Sequence, residues 1–405
     1  MRILIVSQYF EPELTAASIR IGAFARGLAA AGHEVDVLCE VPNHPVGVVA
    51  AGYSGKLKVD REEDGFRVRH VWVHASPSKR ARHRLLSYAS FAAMATLAGS
   101  AMPRPDVIVA SSPPLSVGVV GALLASRFRV PLVFDVRDLW PEVAVALGEL
   151  SEGPVLRFAE RLERWLYRRA DAVTTPTRPF RDHIAAVAGP GTSAEVVGNG
   201  TDARWIAAGQ AEPDRASAGL DASRFSWTYA GNIGLSQDLG TAIAAASELG
   251  DGFDLLLLGD GTSKPALEAM AASSNGSVRF RDSVPAEQAM QIMRASDALL
   301  VSLADRPELG RSVPIKLYDS CAVGRPVVLA APGEPRRLAG ESGAALVVPP
   351  EDPGALAAAI RRLRDDPELA RSIADAGVDF ARANLRELGV AELEALLLGI
   401  TGERA

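Results

Sequence analysis

Cysteine is almost absent from this 405-residue chain: there are two, Cys39 and Cys321, and their surroundings show neither a metal-ligand nor a disulfide spacing. This argues against a disulfide-stabilised secreted domain and favours a reducing cytoplasm. We assign no metal site to the six histidines. The apolar run at the N-terminus turns polar at Ser7, which is too early for a secretion signal.

No charge of one sign dominates either. Lysine and arginine number 43 against 49 aspartates and glutamates, and a net charge of −6 argues against a general nucleic-acid-binding protein, because no basic field would attract a polyanion. The sequence also has no G-x-G-x-x-G dinucleotide fingerprint and no Walker G-x-x-x-x-G-K-[ST] motif. Both gaps weaken the dehydrogenase and NTPase interpretations.

Long hydrophobic runs are scarce. One stretch, residues 85–102, has no charged side chain and follows four basic residues, Lys79, Arg80, Arg82 and Arg84. It is near the lower length limit for crossing a bilayer, but its many Ala, Ser and Thr residues would make it insert weakly. Two interpretations stay open: a domain helix whose basic start rests on anionic lipid, or an ordinary buried helix with a solvated basic end.

What the sequence does contain is an alternation of short apolar runs with longer Ala/Leu-rich stretches, which is typical of parallel strands covered by helices on both faces. The pattern begins again after residue 226, so we predict two Rossmann-like, doubly wound α/β domains. They cover residues 1–200 and 205–378, with a helical tail, 379–405, that packs back on the first. The predicted strands are 3–6, 35–38, 68–71, 107–110, 132–135, 172–175 and 195–197, then 227–230, 254–258, 278–280, 298–301, 327–329 and 344–347.

Ligands of doubly wound sheets bind beyond the carboxyl ends of the strands, so the loops there are the candidates for chemistry. The most informative segment places Lys316 and Asp319 three residues apart on one face of a predicted helix. A lysine neutralises phosphate, and a carboxylate accepts hydrogen bonds from sugar hydroxyls. Together they can hold a nucleotide-sugar; the alternative is a capped amphipathic helix with two surface charges.

Two glycine loops follow strands of the second predicted domain. Gly231, Asn232 and Gly234 come after its first strand, and Gly259 comes after the next. Glycines let backbone amides approach a diphosphate, and the following helix N-terminus adds partial positive charge. A plain strand-end turn remains the alternative for each loop.

In the first predicted domain, loop 7–13 contains Glu11 and leads through Ala17 into a helix. Helix N-termini offer unpaired amides to an anion or a sugar oxygen. The alternative is a long connection in which Ser18 is the N-cap.

A second loop of the first predicted domain is denser in charge. Asp135, Arg137, Asp138 and Glu142 follow one another at the end of a strand. Such density at a strand end favours a site over a scaffold, although some of these charges can simply pair with one another.

Taken together, these motifs resemble those of glycosyltransferase family 4, which has the GT-B fold, and within it the WbuB/WcaI-like bacterial branch of colanic-acid and O-antigen transferases. The resemblance spans essentially the whole chain. Its carriers, in order, are Gln-Tyr-Phe-Glu-Pro-Glu at 8–13, Ser-Pro-Pro at 112–114, Asp-Val-Arg-Asp-Leu-Trp-Pro-Glu at 135–142, Asn-Gly-Thr-Asp at 199–202, Tyr-Ala-Gly-Asn-Ile-Gly at 229–234 and the segment 314–326.

The resemblance implies two domains facing each other across a cleft. The nucleotide-sugar donor, usually UDP-linked, would bind the C-terminal domain, and a hydroxyl acceptor, often a lipid-linked sugar, would meet the N-terminal domain. Transfer would retain the anomeric configuration and need no metal or other cofactor. The assigned residues are Asp138, Lys316 and Glu11 for catalysis; Gly231, Asn232, Gly234, Gly259, Arg311, Lys316 and Asp319 for the donor; and Arg137, Glu142 and Ala17 on the acceptor side.

Two departures from the family pattern concern the donor residues. Many members carry Glu-x7-Glu, where this chain has Arg311 and Asp319. Aspartate is one methylene shorter than glutamate, so its reach to the ribose is reduced, while Arg311 can meet a phosphate instead. Many members also place Arg and Lys where this chain has Asn232 and Gln237.

We therefore predict a retaining glycosyltransferase that moves a hexosyl or N-acetylhexosaminyl unit from a UDP-sugar to a hydroxyl acceptor in envelope polysaccharide or glycoconjugate synthesis. It is expected in the cytoplasm, able to contact the inner face of the cell membrane through the four basic residues before residue 85, and without a nucleic-acid partner. Two alternatives remain: a UDP-sugar epimerase of the same fold, or a non-catalytic subunit of a polysaccharide-synthesis complex.

Overall fold

The computed structural model describes residues 1–13, 15–44, 46–78, 80–146, 151–210, 212–274 and 276–402. Contacts divide the chain into two compact units: the first comprises Met1–Asn199 and Glu387–Ala405, and the second Gly200–Arg386. Each unit is a β-sheet with mainly parallel strands and connecting helices, so the predicted α/β fold class is confirmed.

The first unit is built on eight strands. They are β1 (Arg2–Ser7), β2 (Glu34–Glu40), β3 (Lys58–Glu63), β4 (Phe66–Val71), β5 (Val107–Ser112), β6 (Leu132–Val136), β7 (Ala172–Thr175) and β8 (Ala194–Val196). Their order in the sheet is β3-β4-β2-β1-β5-β6-β7-β8, and every pair is parallel except β3 with β4. In register, Ile5 lies between Val37 and Val109.

Strand β3 is the strand of this unit that the sequence pattern missed. Its sequence, Lys-Val-Asp-Arg-Glu-Glu, is almost entirely charged, and most of its side chains are exposed at the edge of the sheet. Charged side chains on an edge strand discourage pairing with another chain, and they also remove the apolar signal by which the other strands were found.

Helices cover both faces of this sheet. They are α1 (Ala16–Ala30), α2 (Ala81–Ser100), α3 (Leu115–Phe128), α4 (Glu142–Ala146), α5 (Pro154–Arg169) and α6 (Arg178–Ala188). Because successive strand residues point to opposite faces, Leu4 and Val6 belong to one hydrophobic core and Ile3 and Ile5 to the other. No helix among the described residues is long and apolar enough to cross a membrane.

The second unit has six strands, all parallel. They are β9 (Phe225–Ala230), β10 (Phe253–Leu258), β11 (Val278–Arg281), β12 (Ala298–Ser302), β13 (Val327–Ala330) and β14 (Leu346–Val348), in the order β11-β10-β9-β12-β13-β14. Each corresponds to a predicted strand. The helices are α7 (Ala203–Gly209), α8 (Leu239–Leu249), α9 (Lys264–Ala272), α10 (Ala286–Ala295), α11 (Ile315–Ala322), α12 (Gly333–Ser342), α13 (Pro353–Asp365) and α14 (Pro367–Ala383), with α15 (Arg386–Gly402) closing the chain.

The chain returns to the first unit only after Arg386, whereas the sequence placed the start of the tail at residue 379. Helix α14 stays with the second unit because Phe380 stacks on Tyr318 of α11, with ring centroids 5.4 Å apart. Helix α15 belongs to the first unit, where Leu393 is fully buried in the hydrophobic core that also contains Ile3 and Ile5 of β1. It approaches α1 so closely that a Cβ on Gly27 would lie 2.6 Å from Val390.

A buried ion pair joins α1 to β6 in the first unit. Arg20 and Asp135 are almost fully buried, and Arg20 Nη2 lies 2.9 Å from Asp135 Oδ1. Ser111 and Thr174, on the flanking strands β5 and β7, donate to the same carboxylate at 2.7 and 2.9 Å. Burial alone would raise the pKa of Asp135, but Arg20 and these hydrogen bonds hold it below its usual value.

We expect Asp135→Asn to destabilise the first unit by about 3–5 kcal/mol, because the change leaves the Arg20 guanidinium buried without its counter-ion. Differential scanning calorimetry would measure the loss. The control is Asp365→Asn, which removes an exposed partner of Arg364 and should leave the transitions in place. Equal transitions for both variants would contradict the buried-pair account.

Candidate active site

The loops after β9 and β10 pack directly against each other at the carboxyl edge of the second sheet. Gly231 N–H donates to Leu258 O at 2.9 Å, and Ile233 N–H donates to Asp260 O at 2.8 Å. A Cβ on Gly259, whose φ is +141°, would lie 1.9 Å from Gly231 O. Only a residue without a side chain allows this contact, so the glycines bring two stretches of main chain together.

Lys316 lies beside this pair of loops, in the first turn of α11. Its Nζ is hydrogen-bonded to Tyr229 Oη and sits 4.3 Å from the centre of the Tyr229 ring. A Cβ on Gly231 would be 3.1 Å from the same Nζ. The lysine head is therefore next to the main chain of the β9 loop.

No carboxylate pairs with Lys316 among the residues that the structure describes. Burial lowers the pKa of its ammonium to about 7, and no neighbouring charge among those residues offsets the shift. A desolvated cation without a counter-ion is costly, and an anion beside it would relieve that cost. The geometry thus suits a negatively charged ligand.

Asp319, one turn further along α11, has different neighbours. Thr201 Oγ1 donates to Asp319 Oδ1 at 2.6 Å. Burial raises the pKa of Asp319 to about 6, and Thr201 and Arg386 oppose the rise. The predicted helix holds both charged residues, but the structure gives Lys316 and Asp319 separate partners.

Of the remaining predicted donor residues, Asn232 and Gly234 belong to the β9 loop, and Arg311 lies in the connection between β12 and α11. Gln237 Oε1 accepts from Gly234 N–H at 3.0 Å and from Asn232 Nδ2 at 3.3 Å, which fixes the end of the β9 loop. Arg311 is half-buried at the end of the short turn Leu309–Arg311, and α11 begins shortly after it, at Ile315.

In the first unit, the charged loop after β6 separates into a structural and an open part. Asp135 is committed to the buried ion pair with Arg20. Arg137 Nε donates to Ser111 Oγ at 2.9 Å. Asp138 keeps exposed surface. Desolvation of its carboxyl raises the pKa of that group, and the positive charge of Arg137 opposes the rise. Of the two aspartates, Asp138 is the one that a ligand can reach.

Other predicted residues of the first unit have structural partners. Glu11 forms a two-pronged ion pair with Arg26 of α1, with distances of 2.7 and 2.9 Å. Glu142 Oε2 lies 3.5 Å from His183 Nδ1. Ala17 is buried in the first turn of α1.

The N-cap of α1 is not the residue that the sequence suggested, Ser18. Thr15, rather than Ser18, is the N-cap; the two side chains form a capping box, in which each accepts a backbone N–H of the other residue. Two amides that an anion would have used at this helix start are therefore already satisfied.

Comparison with known proteins identifies the two units. Residues 15–200 match the family described as glycosyl transferase 4-like domain, and residues 224–366 match glycosyl transferases group 1. The chain belongs to the glycosyltransferases. It is 29% identical over 385 residues to a protein of Escherichia coli (strain K12) described as a colanic acid biosynthesis glycosyl transferase, WcaI, and the match covers 89% of this chain and 92% of that protein.

Solved structures show that this glycosyltransferase has the GT-B fold. Sucrose-phosphate synthase from Thermosynechococcus elongatus superposes with a TM-score of 0.78 at 18% identity, covering 99% of both chains. Anabaena Alr3699/HepE, solved in complex with UDP, gives a TM-score of 0.73 at 16% identity, covering 98% of this chain and 100% of that one. The same protein has also been solved with UDP-glucose.

Two features of this glycosyltransferase's loops were missed by sequence reasoning. Tyr229 is the second-last residue of β9, and its hydroxyl contacts Lys316; a tyrosine just before a glycine loop was the available signal. Glu40 ends β2 and accepts from Gln8 Nε2 at 2.7 Å and from Asn43 Nδ2 at 2.8 Å. Burial raises the pKa of Glu40 to about 8, so this carboxyl is mostly protonated at neutral pH.

Metal ligation has little support in the described part of the glycosyltransferase. His70 and His74 are four residues apart in sequence, but His70 Nδ1 is hydrogen-bonded to Glu40 O at 3.0 Å and His74 stacks on His83. No group of three or more His, Cys, Asp or Glu side chains that could hold a metal ion occurs among residues with described positions.

Gly259→Ala tests the contact between the two loops. We expect the added Cβ to collide with Gly231 O and to destabilise the second unit by about 1–3 kcal/mol, since both overpacking and strain at positive φ act against it. Calorimetry would measure the shift. Gly340→Ala is the matched control: its Cβ meets nothing within 4 Å inside α12, so it should be neutral or stabilising. Similar melting of both variants would refute the close contact.

Proposed function

We propose that this glycosyltransferase uses a nucleotide-sugar donor, UDP-linked, whose diphosphate binds Lys316 and the loops at 231–234 and 259–261. The observation that carries the proposal is the Lys316 ammonium, which lies against Gly231 without a carboxylate partner among the described residues. The anionic part of an activated sugar is its diphosphate, and a lysine beside close main chain is a suitable receptor for it. The Anabaena protein of the same fold, solved with UDP and with UDP-glucose, supports this choice of donor.

Asp319 is proposed to bind the ribose hydroxyls. Thr201 occupies Oδ1, while Oδ2 has no hydrogen bond among the described residues and can accept one from a hydroxyl. With a pKa of about 6, the carboxyl is mostly ionised at neutral pH and accepts such bonds well. Arg311 is proposed to lie near the phosphates, in place of the usual acid.

The proposed reaction transfers a hexosyl or N-acetylhexosaminyl unit to a hydroxyl, with retention at the anomeric carbon and without a metal. Stabilising the leaving diphosphate through Lys316 and nearby amides would supply a large share of the rate. Asp138, which keeps open surface, is proposed to contact the donor sugar or the acceptor. The likeness to WcaI supports a place in envelope polysaccharide synthesis.

We propose a lipid-linked acceptor, met by the first unit at the cytoplasmic face of the membrane. Of the four basic residues that suggested this, Lys79 lies outside the described residues, Arg80 and Arg82 are exposed, and Arg84 is half-buried. Leu85 is 56% exposed in the next turn of α2. Exposed cations beside an exposed leucine suit an anionic bilayer surface.

Helix α5 offers a stronger surface of the same kind, which the sequence analysis overlooked. Phe158 and Trp165, seven residues apart and so on one helix face, are 65% and 47% exposed. Arg161 and Arg164 lie between them and are also exposed. Large aromatic side chains next to arginines are the usual composition of a helix that lies in a membrane interface.

Lys316→Ala should lower the turnover of the donor by roughly 10²–10³-fold, the scale of losing one preorganised group at the leaving charge. Lys316→Arg should keep part of the activity, since the charge remains but its geometry changes. The assay is UDP release from UDP-sugars, chosen by a thermal-shift screen of UDP-, GDP- and dTDP-sugars. Lys58→Ala, an exposed change on β3, is the control. Near-normal turnover in Lys316→Ala would reject the proposed role.

Analysis of the products formed from the donor with and without an acceptor separates the alternatives. Conversion of the donor to an isomer without an acceptor would indicate an epimerase. Binding of UDP without turnover, over a broad panel of donors and acceptors, would indicate a non-catalytic subunit.

Replacing both Phe158 and Trp165 by serine should weaken binding to vesicles of anionic lipid by about a hundredfold, because each side chain loses roughly 1.5 kcal/mol of apolar burial and the two losses add. Co-sedimentation with anionic and with neutral phosphatidylcholine vesicles is the measurement. The control is Leu235→Ser, an 85% exposed residue of the second unit. Unchanged binding of the double variant would remove α5 from the proposal.

A further inference from the structure

We propose that Tyr229 is a positioning residue of the donor site: its hydroxyl holds the Lys316 head and the β9 loop in the arrangement that accepts a diphosphate. The inference rests on the proposed function, because it concerns how the same site is prepared for its ligand. It assigns a role to a residue that does not itself need to touch the donor.

The geometry fixes the direction of each hydrogen bond. Tyr229 Oη donates its single proton to Asn232 O at 2.6 Å. Toward Lys316 the same oxygen must therefore accept, and Lys316 Nζ is the donor. One fully buried hydroxyl thus ties the glycine loop to the first turn of α11.

The ring of Tyr229 acts on the ammonium as well. Nζ lies 4.3 Å from the ring centre, within the range in which a cation is attracted to an aromatic face. The hydroxyl and the ring together favour the charged form of Lys316 and oppose the effect of burial. Because a lysine side chain has many rotamers, holding its head before the donor arrives also lowers the entropy lost on binding.

Other charged groups around α11 act elsewhere. Asp202 and Arg204, at the start of α7, and Arg386 influence Asp319 rather than Lys316. Helix α12 contributes Glu334, which acts on Tyr318, and β12 (Ala-Leu-Leu-Val-Ser) has no titratable side chain. Helix α14 meets α11 through Phe380, stacked on Tyr318. Among the residues with described positions, Tyr229 is therefore the titratable group that contacts the Lys316 head.

The test compares Tyr229→Phe with Tyr318→Phe in the full chain. Both changes remove one hydroxyl from a buried tyrosine, but only Tyr229 contacts Lys316. UDP binding is measured by calorimetry from pH 6 to 8.5, a range that includes the pH below 7 at which the decline of Tyr229→Phe would begin. The terminal phosphate of UDP, with a pKa near 6, titrates equally in the experiments with every variant. Lys316→Arg is the charge control, since its side chain does not titrate in this range.

In the unmodified protein, affinity for UDP should fall as the pH rises above about 7. Without ligand, Lys316 loses its proton in this range because its pKa is about 7, and it must regain the proton to bind the diphosphate. The affinity for UDP should therefore fall by up to about tenfold per pH unit. Tyr229→Phe should bind UDP about tenfold more weakly at pH 7 and begin its decline at lower pH, because one hydrogen bond to the charged form is gone. Tyr318→Phe should match the unmodified protein, and Lys316→Arg should show no such decline.

A double variant distinguishes a positioning role of Tyr229 from a purely structural effect of Tyr229→Phe. If Tyr229 acts through Lys316, adding Tyr229→Phe to Lys316→Ala should weaken UDP binding little further. Equal affinity and equal pH profiles for the two tyrosine variants would overturn the positioning role while leaving the proposed function intact. Additive losses in the double variant would also overturn it. Absence of UDP binding by the unmodified protein would instead sink the proposed function and this inference together.

Discussion

The second unit depends on one contact between main chains: Gly231 and Gly259, at the ends of neighbouring strands, approach until no Cβ fits at Gly259. Because β9 and β10 are parallel and in register, both loops leave the sheet at the same edge. The close approach concentrates backbone polar groups there and leaves a place for the head of Lys316. Neither loop alone would be a site, since a single glycine turn is an ordinary way to end a strand.

The two units treat desolvated charge in opposite ways. Asp135 of the first unit is surrounded by Arg20, Ser111 and Thr174, and its charge is fully compensated inside the protein. Within the part of the chain that the structure describes, Lys316 of the second unit has only the hydroxyl and ring of Tyr229 as partners. Breaking a compensated pair costs stability, whereas an uncompensated cation already carries that cost and recovers it when an anion binds. The first arrangement suits a scaffold and the second suits a ligand site.

Much of the fold was predictable because buried parallel strands are continuous apolar runs, and each predicted strand is present. The edge strand β3 was not, since its charged side chains carry no such signal. Within the Asp-x-Arg-Asp loop, the sequence could not show that Asp135 belongs to a buried ion pair while Asp138 stays exposed. The partner that decides it, Arg20, lies 115 residues earlier in the chain. Likewise, helical spacing put Lys316 and Asp319 together, but Tyr229 and Thr201, from distant segments, give them different surroundings.

The pKa values of Lys316 and Asp319 together limit the pH range in which the proposed donor site carries both of its charges. Burial is the largest cause of both shifts, and it brings the two pKa values closer together. The pKa of Lys316 falls to about 7, and the pKa of Asp319 rises to about 6. Below about pH 6 the carboxylate that would accept ribose hydroxyls is mostly protonated; above about pH 7 the cation for the diphosphate is mostly lost. Without ligand, both are charged together mainly between these values. A bound diphosphate would raise the pKa of Lys316, so occupancy itself would widen that range.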